Sequence, residues 1–157
     1  MITREIAKAA AILAEARLTG MDDADKFTVI RALRVLKPIR QQYEDFVQDA
    51  AKRLRPEGFD RLEQMKREWN EQHKGQKYKD LTEEELLELN DINQQYNDYN
   101  SKVEDCIREE SMAEHTLSYA RLSDEALGKL MAANPEWTAA AMLLVTDALA
   151  ADEGKEG

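Results

Sequence analysis

The sequence predicts an all-α protein, a helical bundle built on a long antiparallel helical hairpin with additional short helices. Three observations lead there. The chain of 157 residues is 43% hydrophobic and 6% aromatic but holds only 6 Gly and 3 Pro, the balance of a helix-rich globular protein rather than a disordered or fibrous one. Apolar residues recur at steps of three and four over two stretches of about 30 residues each, the period of a helix with one buried face. Helix-start chemistry stands at the head of both stretches: Asp22, Asp23 and Asp25 before the first, Thr82 with Glu85 before the second. The length fits one domain, placed at 1–151, and the polar end 152–157 is expected to fray.

In chain order, residues 3–18 set Ile6, Ala9, Leu13 and Ala16 on one stripe, with Thr3 as N-cap and Gly20 as the stop. Residues 23–54 carry Phe27, Ile30, Leu33, Leu36, Ile39, Tyr43, Phe46, Val47, Ala50 and Leu54 at helical spacing, so these are the expected core positions of a first long helix. Pro38 removes one backbone hydrogen bond in its middle and predicts a kink near Leu36. Arg55, Pro56 and Gly58 punctuate the chain. Phe59, Leu62, Met65 and Trp69 then define a third helix over 59–72, followed by the polar segment EQHKGQKYKD, expected as an exposed loop.

Thr82 and Glu85 form a capping box, and Leu81 with Leu86 fits a hydrophobic staple, so the second long helix begins at Glu83. Leu89, Ile92, Tyr96, Tyr99, Val103 and Cys106 supply its seam. Beyond it, HTLSYARL alternates Leu117, Tyr119 and Arg121; over so few residues the period leaves both an extended piece and a further helical turn open. Ser123 caps a short helix carrying Leu127, Leu130 and Met131. The last helix is expected to start with Asn134 as N-cap and Pro135 at its first position, turning Trp137, Ala141, Leu144 and Ala148 inward.

Charge divides the chain. The net charge is −10, but residues 26–79 hold 14 basic and 8 acidic side chains, whereas 80–157 hold 5 and 19. Arg31, Arg34, Lys37 and Arg40 mark the basic long helix; Glu84, Glu88, Asp91 and Asp98 mark the acidic one. These eight residues are the candidate interaction residues. Such a layout brings two halves of one subunit together, or the basic part of one subunit to the acidic part of another. Nucleic acid is disfavoured as a partner, because the three-residue spacing winds the cations around the helix and the overall charge repels phosphate.

Most catalytic chemistries lack their residues. A helical di-iron site needs Glu-x-x-His pairs, and neither His73 nor His115 stands in one. DDADKF lacks the central Gly and final acid of a calcium loop, and one Cys with two distant His disfavours zinc. Cys106 falls on the apolar seam and reads as a structural thiol. No phosphate loop, dinucleotide fingerprint or nucleophile elbow occurs. No catalytic residue, metal or cofactor is therefore expected. Charged residues interrupt the first eighteen positions, which disfavours a signal peptide, and no stretch reaches the roughly 18 apolar residues of a membrane span. One cysteine, unable to form an internal disulfide, agrees with a cytoplasmic location.

The long helix FTVIRALRVLKPIRQQYEDF, the polar insertion, the second long helix and the unit LSDEALGKL resemble small helical proteins of unknown function encoded among phage and prophage structural genes. The likeness covers residues 3–149 in pattern, and the chain departs from it by the C-terminal extension NPEWTAAAMLLVTDALA. It implies an all-helical fold and an assembly role, and carries no catalytic residues over. The expected function is therefore a non-enzymatic interaction or assembly protein that acts through helix faces on a protein partner or on itself, as a homo-oligomer. The alternative is an acidic adaptor that sequesters a basic partner, in the manner of an antitoxin or a DNA mimic.

Overall fold

The computed structural model describes residues 1–151. It is all-α: α1 (Thr3–Ala14), α2 (Asp23–Arg53), α3 (Phe59–Gln72), a 3₁₀ turn at Tyr78–Asp80, α4 (Glu83–Met112), α5 (Asp124–Ala133) and α6 (Ala139–Leu149). Extended pairing among the described residues is limited to two isolated bridges, Ile2 with Glu114 and Leu122 with Ala150. The tail expected at 152–157 lies outside the described residues. The contacts gather into two compact units, residues 1–46 with 109–151, and residues 47–108.

The first unit closes around four helices. Ile6, Ala9, Ala10 and Leu13 of α1, Val29, Ala32 and Leu36 of α2, Leu127 and Leu130 of α5, and Val145, Ala148 and Leu149 of α6 form one buried cluster. Small residues make the close approach possible: Ala9, Ala10, Ala32 and Ala148 are buried with no more than 1% of their surface exposed. The segment after α4 is extended, settling the choice that its short period left open. Its backbone is stitched at one end to the start of α1, where Thr3 N–H donates to the Ala113 carbonyl (3.0 Å) and His115 N–H to Met1 (3.0 Å). At the other end Leu122 N–H donates to the Leu149 carbonyl at the end of α6 (2.8 Å).

That segment also caps α6. The Tyr119 hydroxyl donates to the Ala148 carbonyl at 2.7 Å, and the Arg121 guanidinium donates to the same oxygen while lying 4.5 Å over the Tyr119 ring. Helix carbonyls in the last turn have no intrahelical partner, so these donors satisfy groups that would otherwise be stranded. Thr3 is drawn into the same stitching: its hydroxyl donates to the Ala113 carbonyl (3.2 Å) and meets His115 Nε2 at 2.8 Å. It is therefore the first residue of α1 rather than the N-cap, which is Ile2.

Two further boundaries differ from expectation, for one shared reason. α1 ends at Ala14 rather than 18, and α6 begins at Ala139 rather than beside Pro135. Asn134, expected as an N-cap, is instead the C-cap of α5 and 1% exposed. Its Oδ1 accepts from Arg17 N–H at 2.8 Å, and its Nδ2 donates to the carbonyls of Arg17 (2.8 Å) and Leu130 (2.9 Å). An amide engaged on both sides with backbone 117 positions away is not free to cap the next helix. Thr138 takes that role, accepting from Ala141 N–H at 3.2 Å. α2 runs unbroken through Pro38.

In the second unit, α3 lies antiparallel to the first half of α4. Phe59 meets Tyr99 with ring centres 4.9 Å apart and Tyr96 edge-on at 5.8 Å, while at the far end His73, stacked on Trp69 at 4.1 Å, reaches Glu85 at 3.6 Å. Phe59, Leu62 and Ile92 are its buried core. The capping box forms as the sequence predicts: Thr82 N–H donates to Glu85 Oε2 (3.0 Å) and Glu85 N–H to Thr82 Oγ1 (3.2 Å). The polar segment before it is exposed but tightens into the 3₁₀ turn. Further along, the Tyr99 hydroxyl donates to the Ala51 carbonyl and Arg53 donates to Cys106 Sγ at 3.1 Å, so the cysteine is half-buried beside a cation rather than enclosed in the apolar seam.

Asn134→Ala strips two backbone groups of Arg17 of their partner, and we expect a loss of about 2–3 kcal/mol, the cost of stranded buried polar groups, read by urea unfolding. Burial raises the Tyr119 phenol above 10.0, partly opposed by Arg121. A group whose folded pKa is raised stabilises below its unfolded pKa and loses that contribution as pH climbs through the folded one. Stability is therefore expected to hold flat at neutral pH and to fall above pH 10.0, a fall that Tyr119→Phe reduces.

Candidate functional site

The candidate interaction residues sit on the two long helices, one set in each unit. On α2 the buried positions Val29, Ala32 and Leu36 define the inward face. At 3.6 residues per turn, Phe27, Ile30, Arg34 and Lys37 fall on the opposite side, with Arg31 beside them. All five are exposed. Phe27 and Ile30, expected in the core, are 61% and 45% exposed, and Phe46 is also exposed. The reason is competition between two apolar stripes on one helix. The inward one has small Ala32 for close approach and the support of α1, α5 and α6, which leaves the other uncovered.

Arg40 departs from the set. Three-residue steps rotate each cation about 60° from the last, which carries Arg40 to the flank of the inward face. There it is half-buried and paired with Glu44 at 2.7 Å, one turn along its own helix. Arg31, Arg34 and Lys37 remain as a compact basic face next to two large apolar side chains.

The acidic set of α4 forms a second exposed face. Glu84, Glu88, Asp91 and Asp98 are all exposed, and Asp98 stands at the rim of the cleft that Phe59 and Tyr99 also line. Asp91 accepts from Gln95 (3.1 Å) and Asp98 from Gln94 (3.0 Å), neutral contacts within the helix that leave both charges in place. Leu87, not singled out by the seam, stands among these acids with 68% of its surface exposed.

Several other charges find partners nearby. Arg55 bridges Asp60 (3.1 Å) and Glu63 (3.5 Å) and lies over Phe59; Lys66 sits 4.4 Å from the centre of the Tyr96 ring; Arg108 pairs with Asp105; Lys129 approaches Asp22 and Glu125. Tyr96 is held above its usual pKa by burial first and by Glu63 second, against Arg67. Exposed ion pairs of this kind contribute about 0–1 kcal/mol, so they arrange the surface more than they hold the fold.

The most voluminous hollow described, about 750 Å³, opens in the first unit and carries Glu5, His115, Arg121, Asp124 and Asp147. Its His115 is engaged by Thr3 and its Arg121 by backbone carbonyls, so these two groups are employed in closing the fold. A smaller cleft of about 180 Å³ in the second unit is lined by Phe59, Tyr99, Asp98 and Lys102 among others. Among the described residues no group of three His, Cys, Asp or Glu side chains is arranged to hold a metal ion, and no helix is long and apolar enough to cross a membrane.

No protein-family model matches the chain, and neither curated proteins nor solved structures show a significant similarity to it. The exposed faces are thus read from their own chemistry. If Phe27 and Ile30 are surface groups, Phe27→Asn and Ile30→Asn change stability by less than about 0.5 kcal/mol, whereas Leu36→Ala costs about 2–5 kcal/mol. Chemical unfolding of the three variants separates the two stripes.

Proposed function

We propose that this chain is a non-enzymatic helical interaction and assembly protein that docks a protein partner through the outward face of α2. The observation that carries this reading is the pairing of two large exposed apolar side chains, Phe27 and Ile30, with three exposed cations. An apolar centre with a charged rim is the composition of a docking surface: burial of the apolar groups supplies affinity, and the charges select the partner and speed its approach. The resemblance to helical proteins of phage and prophage structural regions agrees with an assembly role, and the single cysteine with a cytoplasmic setting.

A second reading, an acidic adaptor that sequesters a basic partner, draws on the α4 face. Glu84, Glu88, Asp91 and Asp98 are exposed, and the described contacts of Asp91 and Asp98 are with neutral glutamines. A basic surface approaching these acids would meet a field that local ion pairs have not cancelled.

Placing a photoreactive phenylalanine derivative at position 30, at position 87, or at exposed Glu57 as a control, in cells that make the protein, tests both. A specific protein, identified by mass spectrometry, is expected to crosslink from position 30 and not from 57. Capture of a basic protein from 87 alone would move the adaptor ahead. Equal labelling from all three positions would remove both readings.

A further inference from the structure

We infer that the partner of the α2 face is a second copy of this chain, presented through the outward face of α4. This rests on the reading of the two faces as docking surfaces and names their occupant. The faces are opposite in sign and alike in layout. Along α2 the outward stripe runs Phe27, Ile30, Arg34, Lys37; along α4 it runs Glu84, Leu87, Asp91, with steps of three and four in both. Laid side by side in the same direction, they set Ile30 against Leu87 and, one turn further, Arg34 against Asp91. Ile30 thus meets an apolar partner and Arg34 an anion at the same height, while the same register sets Phe27 against Glu84. Arg31 and Glu88 flank the seam and add to the attraction.

The chemistry of the occupant follows from what the α2 face lacks. Phe27 and Ile30 need an apolar surface, and Arg31, Arg34 and Lys37 need a row of acids along a helix. The chain itself carries such a row, exposed, with 68%-exposed Leu87 inside it. Because both faces lie on one chain, reciprocal pairing closes a two-fold dimer that uses both at once, whereas head-to-tail pairing leaves one of each free and continues to a ring or a filament; both raise the mass above that of one chain. Seam charges of opposite sign also make it sensitive to salt, since exposed pairs are screened as the Debye length shrinks.

Light scattering on the full chain tests this with charge-reversed variants. At low salt the wild-type mass is expected to exceed that of one chain, 18.0 kDa, and to fall toward it as salt is raised. R31E/R34E has two acidic faces and E88K/D91K two basic ones; each alone is expected to stay at the mass of one chain. Mixed in equal amounts, the two variants are expected to regain a mass of several chains, which also shows that both are folded. A wild type that remains a single chain at millimolar concentration and low salt would overturn the inference, as would variants that associate like the wild type or a mixture that does not recover. If the wild type is monomeric but position 30 still crosslinks another protein, self-assembly fails while the interaction reading stands.

Discussion

The burial of one side of α2 is the constraint on which the rest of the first unit depends. Val29, Ala32 and Leu36 present a narrow face to which α1 and α6 bring their own alanines, so helices approach closely and the leucines of α1, α5 and α6 fill the space between them. A helix surrounded on one side only must leave its other side to solvent. On α2 that other side holds Phe27 and Ile30, residues that cost free energy to expose and whose natural remedy is a partner surface. The buried core and the exposure of Phe27 and Ile30 are thus two consequences of a single choice of face.

The closure of that unit relies on polar groups rather than on a larger core. Asn134 joins the exit of α1 to the end of α5, and the extended segment 113–122 joins the entry of α1 to the end of α6. In each place the partners are backbone groups that a helix end leaves unsatisfied. Tyr119 and Arg121 serve the Ala148 carbonyl for the same reason. His115 and Arg121, two of the polar groups that line the most voluminous hollow, take part in this closure.

Charge has a different task. Many of the ion pairs lie within a single helix, and the asymmetry between the basic and acidic stretches is left on exposed residues of α2 and α4. Such a surface contributes little to stability but orients encounter and discriminates between partners.

The sequence by itself determined the all-α class, the bounds of α2 and α3, the start of α4 with its capping box, and the Ser123 cap of α5, because periodicity and capping are local and act within one or two turns. It also marked Arg31, Arg34, Lys37, Arg40 and the four α4 acids as candidate interaction residues. Tertiary structure alone decided the rest. Which of two apolar stripes on α2 faces inward depends on neighbours far along the chain, so Phe27 and Ile30 were misplaced in the core. Asn134 was drawn from the N-cap of α6 by the backbone of Arg17, and Arg40 left the basic face once the inward side was set. Segment 113–122 is extended because the ends of α1 and α6 offer it hydrogen bonds, an offer no local period records.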